Sequence, residues 1–219
     1  DGSWVVMRNH EIHEGSPVDA ALGFADDRGG GVTRLVVDRA SGTLRSSNFV
    51  LTGTSRNCAG GPSPYGWLSC EEVDESGHGF VFLCDVSASE LQAPHRLPAL
   101  GRFSHEAAAF DAKTGITYLT EDTSDSAIYR HVPNHTTQPF VGGELQALKV
   151  SGKDRFMLSE GRKVDEAFNV EWVSVPDPQA LKTSTRDQAH NAGAAFFHAE
   201  RVPGSLTITF IFVRLTAAR

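Results

Sequence analysis

The chain has 219 residues, 40% hydrophobic and 21% charged, with a formal net charge of −7, long enough for one large domain or two small ones with a proper core. The acidic balance excludes nucleic acid as the main partner, because a phosphate backbone selects a basic face. It leaves phosphate esters open, since cations held by carboxylates invert the local potential.

Strand signals recur along the chain and helix signals are scarce. Short β-rich runs are predicted at Trp4–Arg8, Val32–Arg39, Asn48–Thr52, Trp67–Cys70, Phe80–Val86, Ala107–Asp111, Ile116–Thr120, Ala127–Val132, Glu144–Val150 and Phe168–Val175. Gly, Pro, Ser, Asn and Asp clusters separate them, which is turn chemistry. The clearest hairpin runs through Asp111-Ala112-Lys113-Thr114-Gly115, where Gly115 is free to take positive φ. Asp38-Arg39-Ala40-Ser41-Gly42 repeats that turn type after another alternating strand. Recurrent hairpins of this kind point to an all-β fold, a β-propeller or another antiparallel repeat. At roughly 40 to 50 residues per four-stranded blade, the length holds about four or five blades.

No uninterrupted apolar run reaches the roughly 18 to 20 residues of a membrane span, so no stable membrane insertion is expected. The sequence begins Asp1-Gly2-Ser3-Trp4, without an initiator Met or a visible signal peptide. At the other end, Leu206 to Leu215 reads as a strand followed by no turn or cap. A fragment is expected, truncated or altered in reading frame near Phe196, with 196–219 a divergent tail on a single incomplete domain spanning 1–219.

Three cysteines, Cys58, Cys70 and Cys84, cannot all pair within one chain, and their spacing is not that of a zinc ribbon. Cys70 and Cys84 read as small buried hydrophobes. Four acidic clusters stand beside strand ends: Asn9-His10-Glu11, Cys70-Glu71-Glu72, Ser104-His105-Glu106 and Thr120-Glu121-Asp122. Calcium needs six to eight oxygens, and iron accepts carboxylate oxygens and thiolate. Carboxylates on separate loops of a rigid β scaffold can converge to supply them. Taken singly, each cluster also reads as solvated carboxylates, and His13, His105 and His131 as turn or surface residues. The segment from Leu51 to Glu72 carries the most information. It is a Gly- and Pro-rich loop with a thiol at its start, Arg56-Asn57-Cys58-Ala59-Gly60-Gly61, feeding an aromatic strand, Trp67-Leu68-Ser69-Cys70, that ends in two carboxylates.

This segment resembles the PhoX-type alkaline phosphatases, whose sequences run R-N-C-A-G-G, a Pro-aromatic-Gly turn, then W-L-(S/T)-C-E-E. Further segments fit in the same order: Val5 to Glu11 with the N-H-E strand, Gly79-Phe80-Val81-Phe82, Gly101-Arg102-Phe103-Ser104-His105-Glu106, Tyr118-Leu119-Thr120-Glu121-Asp122 with Ile128-Tyr129-Arg130, and Val170-Glu171-Trp172-Val173. The resemblance spans residues 1–178. It implies a six-bladed propeller holding an iron–calcium cluster that cleaves small phosphomonoesters, in a monomer that is periplasmic or secreted. It also implies that Cys58 ligates iron and that Glu106 ligates iron and bridges to calcium. Glu11, Glu72 and Asp122 would be calcium or bridging ligands, with Glu71 and Glu121 competing for those places, and Arg56 and Asn57 would orient substrate phosphate. The cations would polarise the phosphoryl oxygens.

One departure bears on activity. Aligned from Phe197, the family's later F-x-R-x-E-G segment meets Ala199 at the Arg position and Arg201 at the Glu position. Weak or absent phosphatase activity is therefore expected of this chain. The competing readings are a non-catalytic metal-binding propeller and a lactonase-like propeller hydrolase with a single calcium, which has no need of Cys58.

Overall fold

Two turns of the same chemistry set the hairpin spacing. In the first, the Asp38 carboxylate accepts the backbone N–H of Ala40 and Ser41, each at 2.9 Å, and Gly42 closes the turn at φ +71°. In the second, the Asp111 carboxylate accepts Lys113 N–H at 2.9 Å and Thr114 Oγ1 at 2.6 Å, and Gly115 sits at φ +75°. Each glycine N–H returns to its aspartate carbonyl at 2.8–2.9 Å, a closure made at a positive φ that favours glycine.

The computed structural model describes residues 2–197 apart from 160, 162 and 164. Strands β1 (Ser3–His10), β2 (Gly30–Asp38) and β3 (Leu44–Thr54) form one antiparallel sheet. A second sheet has the order β11-β10-β9-β8-β7-β4-β5-β6. Its strands are β4 (Asn57–Ser63), β5 (Gly66–Glu71), β6 (Val81–Cys84), β7 (His105–Phe110), β8 (Thr117–Glu121), β9 (Ile128–Val132), β10 (Glu144–Val150) and β11 (Val170–Ser174). Helix α1 (Thr185–Asn191) begins where Ser184 accepts the Asp187 N–H. The architecture is mostly β with this one α-helix among the described residues, and the strands group as three and eight rather than as separate four-stranded units. The Leu206–Leu215 run, Ala199 and Arg201 lie outside the described residues.

Each predicted run falls on a strand, but β4 was not foreseen. Its sequence, Asn57-Cys58-Ala59-Gly60-Gly61-Pro62-Ser63, carries loop composition for a steric reason. β4 is squeezed between β5 and β7, and it meets β7 in parallel at Gly60↔Ala107. A Cβ on Gly60 would lie 1.9 Å from the Leu68 carbonyl oxygen, and one on Gly61 would lie 1.9 Å from that of Ala108. Only glycine permits backbones to pass that closely.

The β4–β7 joint fixes the polarity of the sheet around it. Asn57 pairs with Glu71 and His105 with Glu121 at the ends of two antiparallel hairpins. With β4 and β7 parallel, both ends lie on the same side of the sheet. The hairpins close alike: Glu72 N–H donates to the Arg56 carbonyl and Asp122 N–H to that of Ser104, each at 3.0 Å. Beneath them, Leu68, Val81, Leu119 and Tyr129 form one buried cluster, and Val32, Leu51, Phe80 and Phe82 another. Cys70 and Cys84 pack into these two cores as small hydrophobes, and all three cysteines are free.

Two histidines correct the surface assignment. His105 and His131 are strand residues with no solvent exposure. The His105 ring stacks on Phe103 at 3.6 Å, with Tyr129 on Phe103 in turn at 4.4 Å. Burial drives its pKa down to about 3, so it packs as a neutral ring.

Candidate metal centre

Side chains alternate across a strand, and this alternation separates the members of each acidic pair. Glu71 and Glu121 close their strands facing the interior. The Glu71 carboxylate accepts Ser55 N–H and His78 Nδ1 on one oxygen, and Gly79 and Phe80 N–H on the other, all at 2.8–3.1 Å. The Glu121 carboxylate accepts Ala127 N–H, Tyr129 Oη and Arg186 Nη1 at 2.9–3.1 Å. Its pKa rises to about 7 through burial, opposed by the Arg186 charge. Both carboxylates are committed to the scaffold, and neither joins the acidic group at the strand ends.

The next residue of each pair faces the other way. Glu72 and Asp122 meet Glu106, with ligand oxygens of all three within 4.8 Å of one another. Glu72 also meets Glu11 and Cys58 within the same limit. Five of the seven predicted metal ligands therefore converge, and Glu72 belongs to both trios. Glu11 is exposed and the other four are half-buried.

The electrostatics of the group are unfavourable to protein alone. Among the described residues no Lys, Arg or His pairs with Glu11, Glu72, Glu106 or Asp122. Burial, a hydrogen bond shared with Asp122 and the Glu106 charge push Glu72 up to about 8. Glu106 is raised by burial and then by Asp122 and Glu11. The Cys58 thiol is pushed up to about 12 by burial, with Glu106 and Glu72 adding to the rise. A multivalent cation would reverse each of these shifts by stabilising the ionised forms. Three or four carboxylates suit a hard cation, and one thiolate at the edge suits iron, so the donor set fits the group expected from the sequence.

The scaffold supplies this geometry through residues that sequence reading passed over. Asn9, two residues before Glu11, donates its amide hydrogens to the Cys58 and Ala59 carbonyls. Its oxygen accepts Trp67 Nε1 and Ser69 Oγ, both at 3.0 Å. Asn9 thereby ties β1 to the strand that carries Cys58. Its place in the N-H-E run, two residues before a predicted ligand carboxylate, is the signal the sequence offers for this role.

Asn57 does not stand where substrate would meet it. The residue is 1% exposed, and its amide is bound to Thr54 Oγ1 and to Ser69 Oγ. It is part of the support beneath Cys58. Arg56 has the opposite character: it is exposed, at φ +46°, and its guanidinium has no partner among the described residues. Its backbone N–H donates to the Ile12 carbonyl at 2.9 Å, while its own carbonyl accepts Glu72 N–H. The left-handed conformation, costly for a side chain of this size, links the Glu11 and Glu72 segments and leaves a free cation at the rim.

The sequence profile of the family described as Alkaline phosphatase PhoX matches residues 36–209. The chain belongs to the PhoX alkaline phosphatase family. No curated protein sequence matches it. Among solved structures, Pseudomonas fluorescens PhoX in complex with vanadate, a transition state analogue, is similar with a TM-score of 0.55 at 17% identity. That similarity covers 87% of this chain and 50% of the Pseudomonas protein, so the chain spans half the length of its PhoX relative. At this identity the likeness speaks for the fold.

Proposed function

We propose that this chain carries a metal centre of a phosphomonoester hydrolase of the PhoX type, with Glu72 as the carboxylate shared between two cation positions. The observation that carries it is the convergence of Glu11, Cys58, Glu72, Glu106 and Asp122, with no Lys, Arg or His paired to the four carboxylates among the described residues. Cys58 and Glu106 would hold iron, and Glu11, Glu72 and Asp122 calcium or the bridge between the two. When bound, the cations supply charge neutralisation to the phosphoryl oxygens. The free Arg56 guanidinium adds a planar donor suited to phosphate. Asn9 and Asn57 hold the Cys58 segment in place, and Glu71 and Glu121 stabilise the hairpin ends from below. The vanadate held by the Pseudomonas relative supports phosphoryl chemistry at the corresponding site.

Two further elements belong to the same proposal. The sheets are parts of a six-bladed β-propeller, which the fold likeness and the repeated hairpin closure at Glu72 and Asp122 support. The protein acts as a monomer on a small phosphomonoester in the periplasm or outside the cell. No helix among the described residues is long and apolar enough to cross a membrane. A lactonase-like hydrolase with one calcium is less well supported, since it leaves the thiol of Cys58 within 4.8 Å of two carboxylates without a role.

The test is hydrolysis of a chromogenic phosphomonoester at alkaline pH, with added calcium and then with a chelator. Turnover that needs calcium and disappears in Glu72→Gln is expected, at a rate well below that of longer relatives because Ala199 and Arg201 replace an arginine and a carboxylate. Folded, cation-loaded protein without turnover would assign a non-catalytic metal-binding module. Turnover unchanged by Cys58→Ala would favour the lactonase-like reading.

A further inference from the structure

Arg186 touches none of the five converging residues, yet its partners are their neighbours in the chain. It projects from α1 with its side chain 21% exposed. Its Nη1 donates to Glu121 Oε1 at 2.9 Å and to Thr123 Oγ1 at 3.0 Å. Its Nε pairs with Asp125 Oδ1 at 3.1 Å, and Nη2 stands 4.0 Å from Asp74 Oδ2. The residues gripped on one side, Glu121 and Thr123, flank Asp122. On the other side, Asp74 follows Glu72 by two residues.

The base of this arginine is fixed. Ser184 caps α1, Thr185 is fully buried with its hydroxyl donating to the Arg102 carbonyl at 3.3 Å, and Gln188 binds the Asp177 backbone on both its carbonyl and its amide. Arg102 donates in turn to the Glu75 carbonyl at 2.9 Å, so α1 is anchored to both segments. A planar guanidinium satisfies several acceptors in fixed directions, which an ammonium cannot do.

We propose that Arg186 is a positioning residue for the metal centre, clamping from behind the two strand ends that present Glu72 and Asp122. The proposal rests on the metal-centre reading above. It assigns a role to α1, which packs against the β7–β8 hairpin through Ala189 and Arg186 but carries none of the converging residues. Outer partners that orient metal ligands typically change affinity by about 10- to 100-fold when removed.

The experiment is calorimetric titration with calcium alone of the full chain and of Arg186→Ala, Arg186→Lys and Asp187→Ala. Arg186→Ala should weaken calcium binding by about 10- to 100-fold, and Arg186→Lys should lose several-fold, because it keeps the charge but not the fork. Asp187→Ala removes the carboxylate that accepts the Ser184 hydroxyl at the helix cap and should lower the melting temperature while leaving calcium affinity unchanged. If Arg186→Ala fails to fold, the Lys variant decides: affinity equal to the parent overturns the clamp. Equal losses of affinity in Asp187→Ala would also overturn it, by showing that helix stability alone is responsible. A parent protein that takes up no calcium refutes the metal-centre reading itself, and the clamp with it.

Discussion

Replacing Gly61 with alanine tests how the two halves of the acidic group are held together. The new Cβ would stand 1.9 Å from the Ala108 carbonyl oxygen, and contacts under 3.0 Å are essentially never tolerated. β4 and β7 would therefore have to part by at least 3.0 − 1.9 = 1.1 Å, and both contacting groups are backbone in paired strands. Overpacking of this kind costs about 1–3 kcal/mol, occasionally more, and the immobile partners place this site at about 3 kcal/mol. The joint also sets the distance from Cys58 and Glu72 to Glu106 and Asp122. Metal–ligand distances tolerate only about 0.2 Å, so cation affinity should fall together with stability. Gly42→Ala is the comparison: its Cβ meets open space and only the φ of +71° is strained, costing about 1–2 kcal/mol. Denaturant titration gives the stabilities and calorimetry the calcium affinity. A Gly61→Ala protein within about 1 kcal/mol of the parent, with calcium affinity intact, would refute the reasoning.

Three other outcomes follow. Glu71→Gln exchanges two acceptor oxygens for one acceptor and one donor facing Gly79 and Phe80 N–H or Ser55 N–H, and should destabilise by about 1–3 kcal/mol; a urea midpoint equal to the parent's would contradict its structural role. Arg56→Ala should lower turnover with little change in calcium affinity, and kinetics beside calorimetry separate the two; lost affinity with unchanged turnover would contradict a phosphate-facing role. For the cation-free protein, Glu72 has a folded pKa of about 8, raised from 4.5, so its contribution is complete below 4.5 and disappears as pH rises through 8. The melting temperature of chelated protein should fall as pH rises from 4.5 to about 8, less steeply in Glu72→Gln, and calcium should abolish much of the fall; parallel slopes for parent and variant would contradict it.

The hairpins were legible because their turns are local chemistry. Asp38 and Asp111 bind their own following backbone, so residue type and spacing suffice. The end of β6 is of the same kind: the run predicted to Val86 stops at Cys84 because Asp85 accepts Ser87 N–H and Oγ at 2.7 Å and turns the chain. β4 was illegible because its glycines answer to backbone on both sides, Leu68 of the next strand and Ala108 far along the chain. Helix α1 carried a capping signal at Ser184 and Asp187, but seven mostly polar residues offer no apolar stripe for periodicity to find.

The candidate centre was legible in kind and ambiguous in detail. Acidic pairs at strand ends were visible, whereas the choice within each pair depends on which face of the strand is interior. Pairing to Asn57 and His105 decides that, turning Glu71 and Glu121 inward and Glu72 and Asp122 outward. Asn57 has a side chain suited to phosphate, and only its burial beneath Cys58 reassigns it. Arg186 had no local signal, since its partners lie more than 60 positions away.

The most direct measurement is the metal content of the protein after exposure to calcium and iron and removal of excess, for the parent and for Glu72→Gln. Bound calcium and iron in the parent, with both diminished in the variant, is the predicted result, because Glu72 is common to both trios. Folded parent protein that retains neither metal would contradict a cation centre at these residues.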